Sequence, residues 1–95
     1  MGRVQDRIAI VTGAGNGIGR ATARRLAEEG AVVTVTDLNE ETGAEVAQEL
    51  GGEATFVTQD VRREEDWQRL MEAVVGRHGR LDILVNNAGI LATRA

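Results

Sequence analysis

Four short apolar runs recur along this chain, separated by segments of helical period, and that alternation restricts the fold more than any single residue does. IAIVT, residues 8–12, is continuous and apolar and is ended by Gly13, as expected of a strand buried on both faces. VVTVT, between Ala31 and Asp37, is β-branched at every position and reads as a second strand. TFVTQ before Asp60 and DILVN before Asn87 read as a third and a fourth. Between them the period changes. From Gly17, the residues Ile18, Ala21, Thr22, Arg25 and Leu26 share one side of a first helix, with Gly30 as its stop. A second helix is expected over 40–50, with Val46, Ala47 and Leu50 inward, and a third over 63–77, where Trp67, Leu70, Met71, Val74 and Val75 form the clearest amphipathic stripe in the chain.

Strands alternating with helices of about 10 to 15 residues imply right-handed βαβ units and a parallel sheet with helices on both faces. The fold class is therefore α/β, a single βαβαβαβ unit over residues 1–95. Ligands of such sheets bind beyond the carboxyl ends of the strands, where strand order reverses. The strands end in Thr12-Gly13, in Asp37, in Asp60 and in Asn86-Asn87-Ala88-Gly89. Turns are rich in these residue types anyway, so the convergence of four such ends on one rim carries the weight.

The first of these ends is TGAGNGIG, residues 12–19. The common dinucleotide fingerprint has glycines at i, i+2 and i+5, whereas a start at Gly13 meets Ile18 in the third place and a start at Gly15 meets Arg20. Gly13, Gly17 and Gly19 instead stand at i, i+4 and i+6, with Gly15 adding freedom to the turn. A glycine loop opening a helix exposes backbone N–H groups and the positive end of the helix dipole to a pyrophosphate. A mononucleotide phosphate loop needs Gly-Lys-Ser/Thr, and the chain has no lysine. Asp37 lies 24 residues after Gly13, where an acid accepts hydrogen bonds from the ribose hydroxyls of the adenosine half. Its charge repels a 2′-phosphate, and Asn16 and Leu38 bring no cation, so NAD is expected over NADP.

Composition removes other classes of function. The formal net charge is −4, which opposes nucleic-acid binding, and no apolar stretch approaches the roughly 18 residues of a membrane span. The first residues, MGRVQDR, are charged where a secretory signal places its apolar segment, and cysteine is absent, so a cytoplasmic protein is expected. All eleven basic residues other than the histidine are arginines and there is no tyrosine. Mechanisms that require a lysine amine or a phenol are excluded within these residues.

TGAGNGIG together with Asp37, Asp60-Val61 and LDILVNNAG (residues 81–89) closely resembles the short-chain dehydrogenase/reductase family. Thr12 to Gly19 fits every fixed position of that family's TGxxxGxG motif, and Asn86 to Gly89 match its NNAG motif. The resemblance implies a Rossmann-like sheet of strand order 3-2-1-4, truncated after the fourth strand, and an oxidoreductase that interconverts alcohols and ketones with NAD(P). It implies that Gly13, Asn16, Gly17, Ile18 and Gly19 hold the pyrophosphate and that Asp37, followed by Leu38, holds the adenosine ribose. Asp60 and Val61 correspond to the pair flanking adenine; Asn87, Ala88 and Gly89 line the ribose side, and the NNAG segment also steadies the sheet. The family's catalytic serine, tyrosine and lysine follow NNAG, and this chain reaches Ala95 before any of them. No catalytic residue is assigned here, and the chain by itself is expected to bind cofactor weakly and to catalyse nothing.

The remaining polar residues read as structural. His78 ends the third helix, where a cation suits the dipole; Trp67 reads as core; Arg20, Arg24 and Arg25 read as a solvated face. The acids of the helices show no metal-ligand spacing. The alternative reading is a non-catalytic nucleotide-binding or interaction module. A fourth strand without a further neighbour leaves an open edge, so self-association or instability is expected.

Overall fold

The computed structural model describes residues 3–87. The elements run β1 (Ile8–Thr12), α1 (Gly17–Glu28), β2 (Val32–Asp37), α2 (Glu40–Leu50), β3 (Thr55–Thr58), α3 (Glu64–His78) and β4 (Ile83–Asn86). The four strands form one parallel sheet in the order β3-β2-β1-β4, as the sequence predicts. β1 pairs with β2 from Ile8↔Val32 to Thr12↔Thr36 and with β4 from Ala9↔Ile83 to Thr12↔Asn86, so all its residues are buried.

The pleat divides the core in two. Ala9, Val11, Val33 and Val35 face α1 and α2, joining Ala23 and Val46 in one buried cluster with Leu26, Ala47, Leu50 and Phe56 packed on it. Ile8 and Ile10 face the other way onto Leu70 and Val74 of α3, with Trp67 and Met71 alongside. Helices therefore cover both faces. Two expectations about helix faces need correction. Of the side of α1 read as inward, Leu26 packs on the core, but Ile18 is 77% exposed and Ala21 and Arg25 are exposed too; Gly19 and Ala23 are the buried residues. The helix approaches the sheet through small side chains, and a Cβ on Gly19 would stand 2.2 Å from the Gly13 carbonyl oxygen. Val75 is likewise 45% exposed, because it stands about 100° around the helix from Val74 and so leaves the apolar stripe.

The helix ends follow local chemistry. Asn39 caps α2, its side chain accepting from the Thr42 amide at 3.0 Å. α3 stops at Gly79, which takes φ 82° and donates its N–H to the Val75 carbonyl at 2.7 Å. Among the described residues, no helix is long and apolar enough to cross a membrane.

Candidate functional site at the carboxyl end of the sheet

β1, β2 and β3 deliver their last residues to one end of the sheet, and the loop after β1 is held there from three sides. Ala14 donates its N–H to the Thr36 carbonyl at 3.0 Å and Gly15 to Asp37 Oδ2 at 2.8 Å, so the loop follows the end of β2. Asn87 Nδ2 donates to the Gly13 carbonyl at 3.3 Å, and the Thr12 hydroxyl to Asn86 Oδ1 at 2.9 Å. The NNAG segment thus secures both the sheet and the loop through its first two residues; Ala88 and Gly89 lie outside the described residues.

The four glycines serve different needs. Gly13 and Gly17 both have φ near +62°, a conformation that side chains disfavour. Gly15 is not among the positive-φ residues, which corrects the expectation that it supplies freedom. It is required by space, since a Cβ there would lie 2.6 Å from Thr42 Oγ1 and 2.8 Å from Asp37 Oδ2. Gly19 lets the first turn of α1 close onto the loop.

That first turn is left open to an anion. Asn16 at the N-cap of α1 makes no side-chain cap hydrogen bond, and the turn holds no acid. α2 and α3 differ: Glu40 and Glu41 occupy the first turn of one, and Glu64, Glu65 and Asp66 that of the other. The uncapped N–H groups and the dipole of α1 therefore remain available to a phosphate. Gly17 and Ile18 lie exposed on this turn. Arg20 points elsewhere, pairing with Glu49 of α2, which agrees with its reading as a surface residue.

Beside the loop, Gly13, Asn16, Asp37, Leu38, Asp60, Val61 and Asn87 line one cavity of about 460 Å³, a size suited to part of a dinucleotide. Seven of the residues expected at the site are thereby brought together. Two others, Gln59 and Arg62, line it too and were missed. Gln59 is buried and accepts from the Thr36 hydroxyl at 2.6 Å. Arg62 grips Asp60: its Nε donates to Oδ1 at 3.0 Å, its Nη2 to Oδ2 at 2.9 Å, and its backbone amide to Oδ1 at 2.9 Å. These bonds hold the Asp60 carboxyl down at about 2. The turn is fixed from behind by Asp66, which accepts the Asp60 amide at 2.9 Å, and by Trp67 Nε1, which donates to the Val61 carbonyl at 2.7 Å. Trp67 is thus both a core residue and a brace for the site. The signal for Arg62 was its place two residues from Asp60; Gln59 sits where a strand residue reads as core.

A glycine loop with two positive-φ positions, an open helix N-terminus, a carboxylate at the end of β2 and an apolar rim of Leu38 and Val61 suit a ligand with phosphates at one end and a flat ring at the other. Comparison with known proteins gives the same direction. The short chain dehydrogenase family model matches residues 7–95. A 3-beta-hydroxysteroid dehydrogenase of Comamonas testosteroni is 47% identical over 94% of this chain and 35% of its own length. A cyclopentanol dehydrogenase of Comamonas sp. (strain NCIMB 9872) is 42% identical over 99% of this chain and 39% of its own. A crystal structure of a short chain dehydrogenase from Mycobacterium smegmatis superimposes with a TM-score of 0.85 at 38% identity, over 92% of this chain and 38% of that one. This chain therefore spans about a third of the length of the curated relatives it matches. It belongs to the short chain dehydrogenase family, oxidoreductases that use nicotinamide dinucleotides.

Proposed function

We propose that residues 1–95 are the NAD-binding part of an alcohol–ketone oxidoreductase, and that the groups which move the substrate proton lie outside them. The observation that carries this reading is the shared cavity: the glycine loop, Asp37 and the Asp60-Val61 turn open onto one space. Gly13, Asn16, Gly17, Ile18 and Gly19 would cradle the pyrophosphate with backbone N–H groups at the start of α1. Asp37 would accept the adenosine ribose hydroxyls, with Leu38 and Val61 against the adenine and Asp60 toward its amino edge. Asn87, Ala88 and Gly89 would stand on the ribose side of the nicotinamide half.

When bound, the nicotinamide supplies the hydride donor or acceptor. The residues of this chain bind and orient it. With neither tyrosine nor lysine present, none of them offers the phenol that would hold the substrate proton. The alcohols named in the relatives, a hydroxysteroid and cyclopentanol, support a hydroxyl-bearing substrate for the full-length enzyme. Preference for NAD rests on the Asp37 charge, which repels a 2′-phosphate; Arg62 does not offset it, because its guanidinium is committed to Asp60.

Thermal stabilisation of the chain by NAD and by NADP tests the reading. A larger shift with NAD is expected, and no shift with either overturns it. Dehydrogenase turnover by the purified chain would overturn its expected inactivity. A reading as an interaction module has one observation in its favour: among the described residues β4 pairs on one side only, and its Leu84 is 46% exposed.

A further inference from the structure

We infer that Asp37 is a positioning residue for the glycine-rich loop as well as a reader of the ribose, so that one carboxylate both shapes the phosphate cradle and selects the cofactor. The inference deepens the NAD-binding reading and rests on it for the ligand, while its structural half stands on the chain alone. Asp37 is tied through both oxygens: Oδ2 accepts the Gly15 amide at 2.8 Å and Oδ1 the Asn39 amide at 2.9 Å. Each carboxylate oxygen has a second acceptor position. Both ties therefore leave room for the two ribose hydroxyls.

The Gly15 tie carries the consequence. Gly15 is buried, so its N–H depends on a protein acceptor; the sheet ladder has already ended at Thr12, and the Ala14 amide makes the last bond to the β2 backbone. The contact is also steric. With no Cβ on Gly15, its backbone lies directly against Asp37 Oδ2 and Thr42 Oγ1, a buried hydroxyl that has no hydrogen-bond partner among the described residues. Thr42 is in turn fixed by the Asn39 cap at the start of α2. β2, its following turn and α2 thus meet the loop at one point. Moving the carboxylate moves the backbone between Gly13 and Gly17, where the phosphates would sit. Cofactor choice at this position is consequently coupled to loop shape, and removing the charge is a different change from removing the acceptor.

Two variants separate the roles. In Asp37→Asn the carboxamide oxygen turns to buried Gly15 and leaves the exposed Asn39 amide to water, so the loop is kept and the charge is lost. In Asp37→Ala both are lost. Amide hydrogen exchange of the ligand-free 95-residue chain reads the structural half, with the Ala9 to Val11 amides of β1 as the reference for global opening. Relative to these, the Gly15 amide is expected to exchange about 10- to 100-fold faster in Asp37→Ala, the equivalent of one hydrogen bond to a charged group, and to stay protected in Asp37→Asn. Calorimetric titration with NAD and NADP reads the other half. Asp37→Asn is expected to lose discrimination between them, and Asp37→Ala to bind both more weakly than Asp37→Asn does. Unchanged Gly15 protection in Asp37→Ala, or equal binding by the two variants, overturns the inference. A parent chain that binds neither dinucleotide overturns the NAD-binding reading instead, and the exchange measurement still decides the loop.

Discussion

Arg62 and Asp60 show how much of a site can depend on a neighbour two residues away. Three hydrogen bonds from Arg62 fall on one carboxylate, and both side chains remain within reach of solvent. The folded carboxyl is lowered from 3.8 to about 2, so its bonded form dominates above that range and is lost as pH falls toward 2. Above pH 5, then, Asp60 presents a carboxylate whose orientation is fixed and whose in-plane acceptor sites are largely occupied. Arg62→Gln is expected to return the Asp60 titration toward 3.8, measured by carbon-detected NMR of the carboxyl group. The same variant frees a second negative charge beside the Asp37 carboxylate. Weaker binding of NADP should follow, with the loss of NAD affinity smaller.

At the scale of elements, small residues decide how closely helix and sheet approach. Gly43 of α2 is buried against Phe56 of β3, and a Cβ there would stand 2.0 Å from Cε1 of the ring. Gly76 of α3 meets nothing within 4 Å. Opposite outcomes are therefore expected from the same substitution: Gly43→Ala should destabilise by about 1–3 kcal/mol through overpacking, whereas Gly76→Ala should stabilise by about 0.5–1 kcal/mol through helix propensity. Urea unfolding of the two variants beside the parent checks both. This rule also separates what was legible in the sequence from what was not. β-branched runs and glycine stops announced all seven elements within about two residues, since strand and helix periods are local properties. The inner face of α1 was misread because its contact is made by Gly19 and Ala23, and hydrophobic periodicity gives glycine no weight. Strand ends pointed to Asp37, Asp60 and Asn87, because topology alone carries them to one rim. Gln59, Arg62 and the Gly15 contact with Thr42 depend on side-chain rotamers and packing between distant segments, which no local pattern contains.

Over the whole molecule, several acids work as acceptors for backbone amides. Asp82 accepts from Ile8 at 2.8 Å and joins the start of β1 to the approach to β4, and Asp66 accepts from Asp60. Glu29, Asp60, Glu65, Asp66 and Asp82 all have carboxyls lowered chiefly by such bonds or by neighbouring arginines. Stability from groups of this kind is fully present above their unfolded values, 3.8 for Asp and 4.5 for Glu, and is lost as pH falls through the folded ones. The melting temperature is expected to hold near pH 6 and to fall steadily below pH 4.5, as circular dichroism melts across that range would show. Leu84 raises a second expectation. On an edge strand it favours association between copies. Sedimentation should show mass rising with concentration in the parent and less so in Leu84→Lys, while a parent that stays monomeric would remove the idea. The order of the sheet also has a consequence in time. β1 is its central strand, yet the Ile8 amide meets its Asp82 partner 74 residues later. At a synthesis rate of about 5–20 residues per second, one side of IAIVT waits roughly 4 to 15 s for β4 to emerge. During that interval the nascent chain carries a bare strand edge whose residues are apolar except for Thr12, and the ribosome delivers its most buried segment as its most vulnerable one.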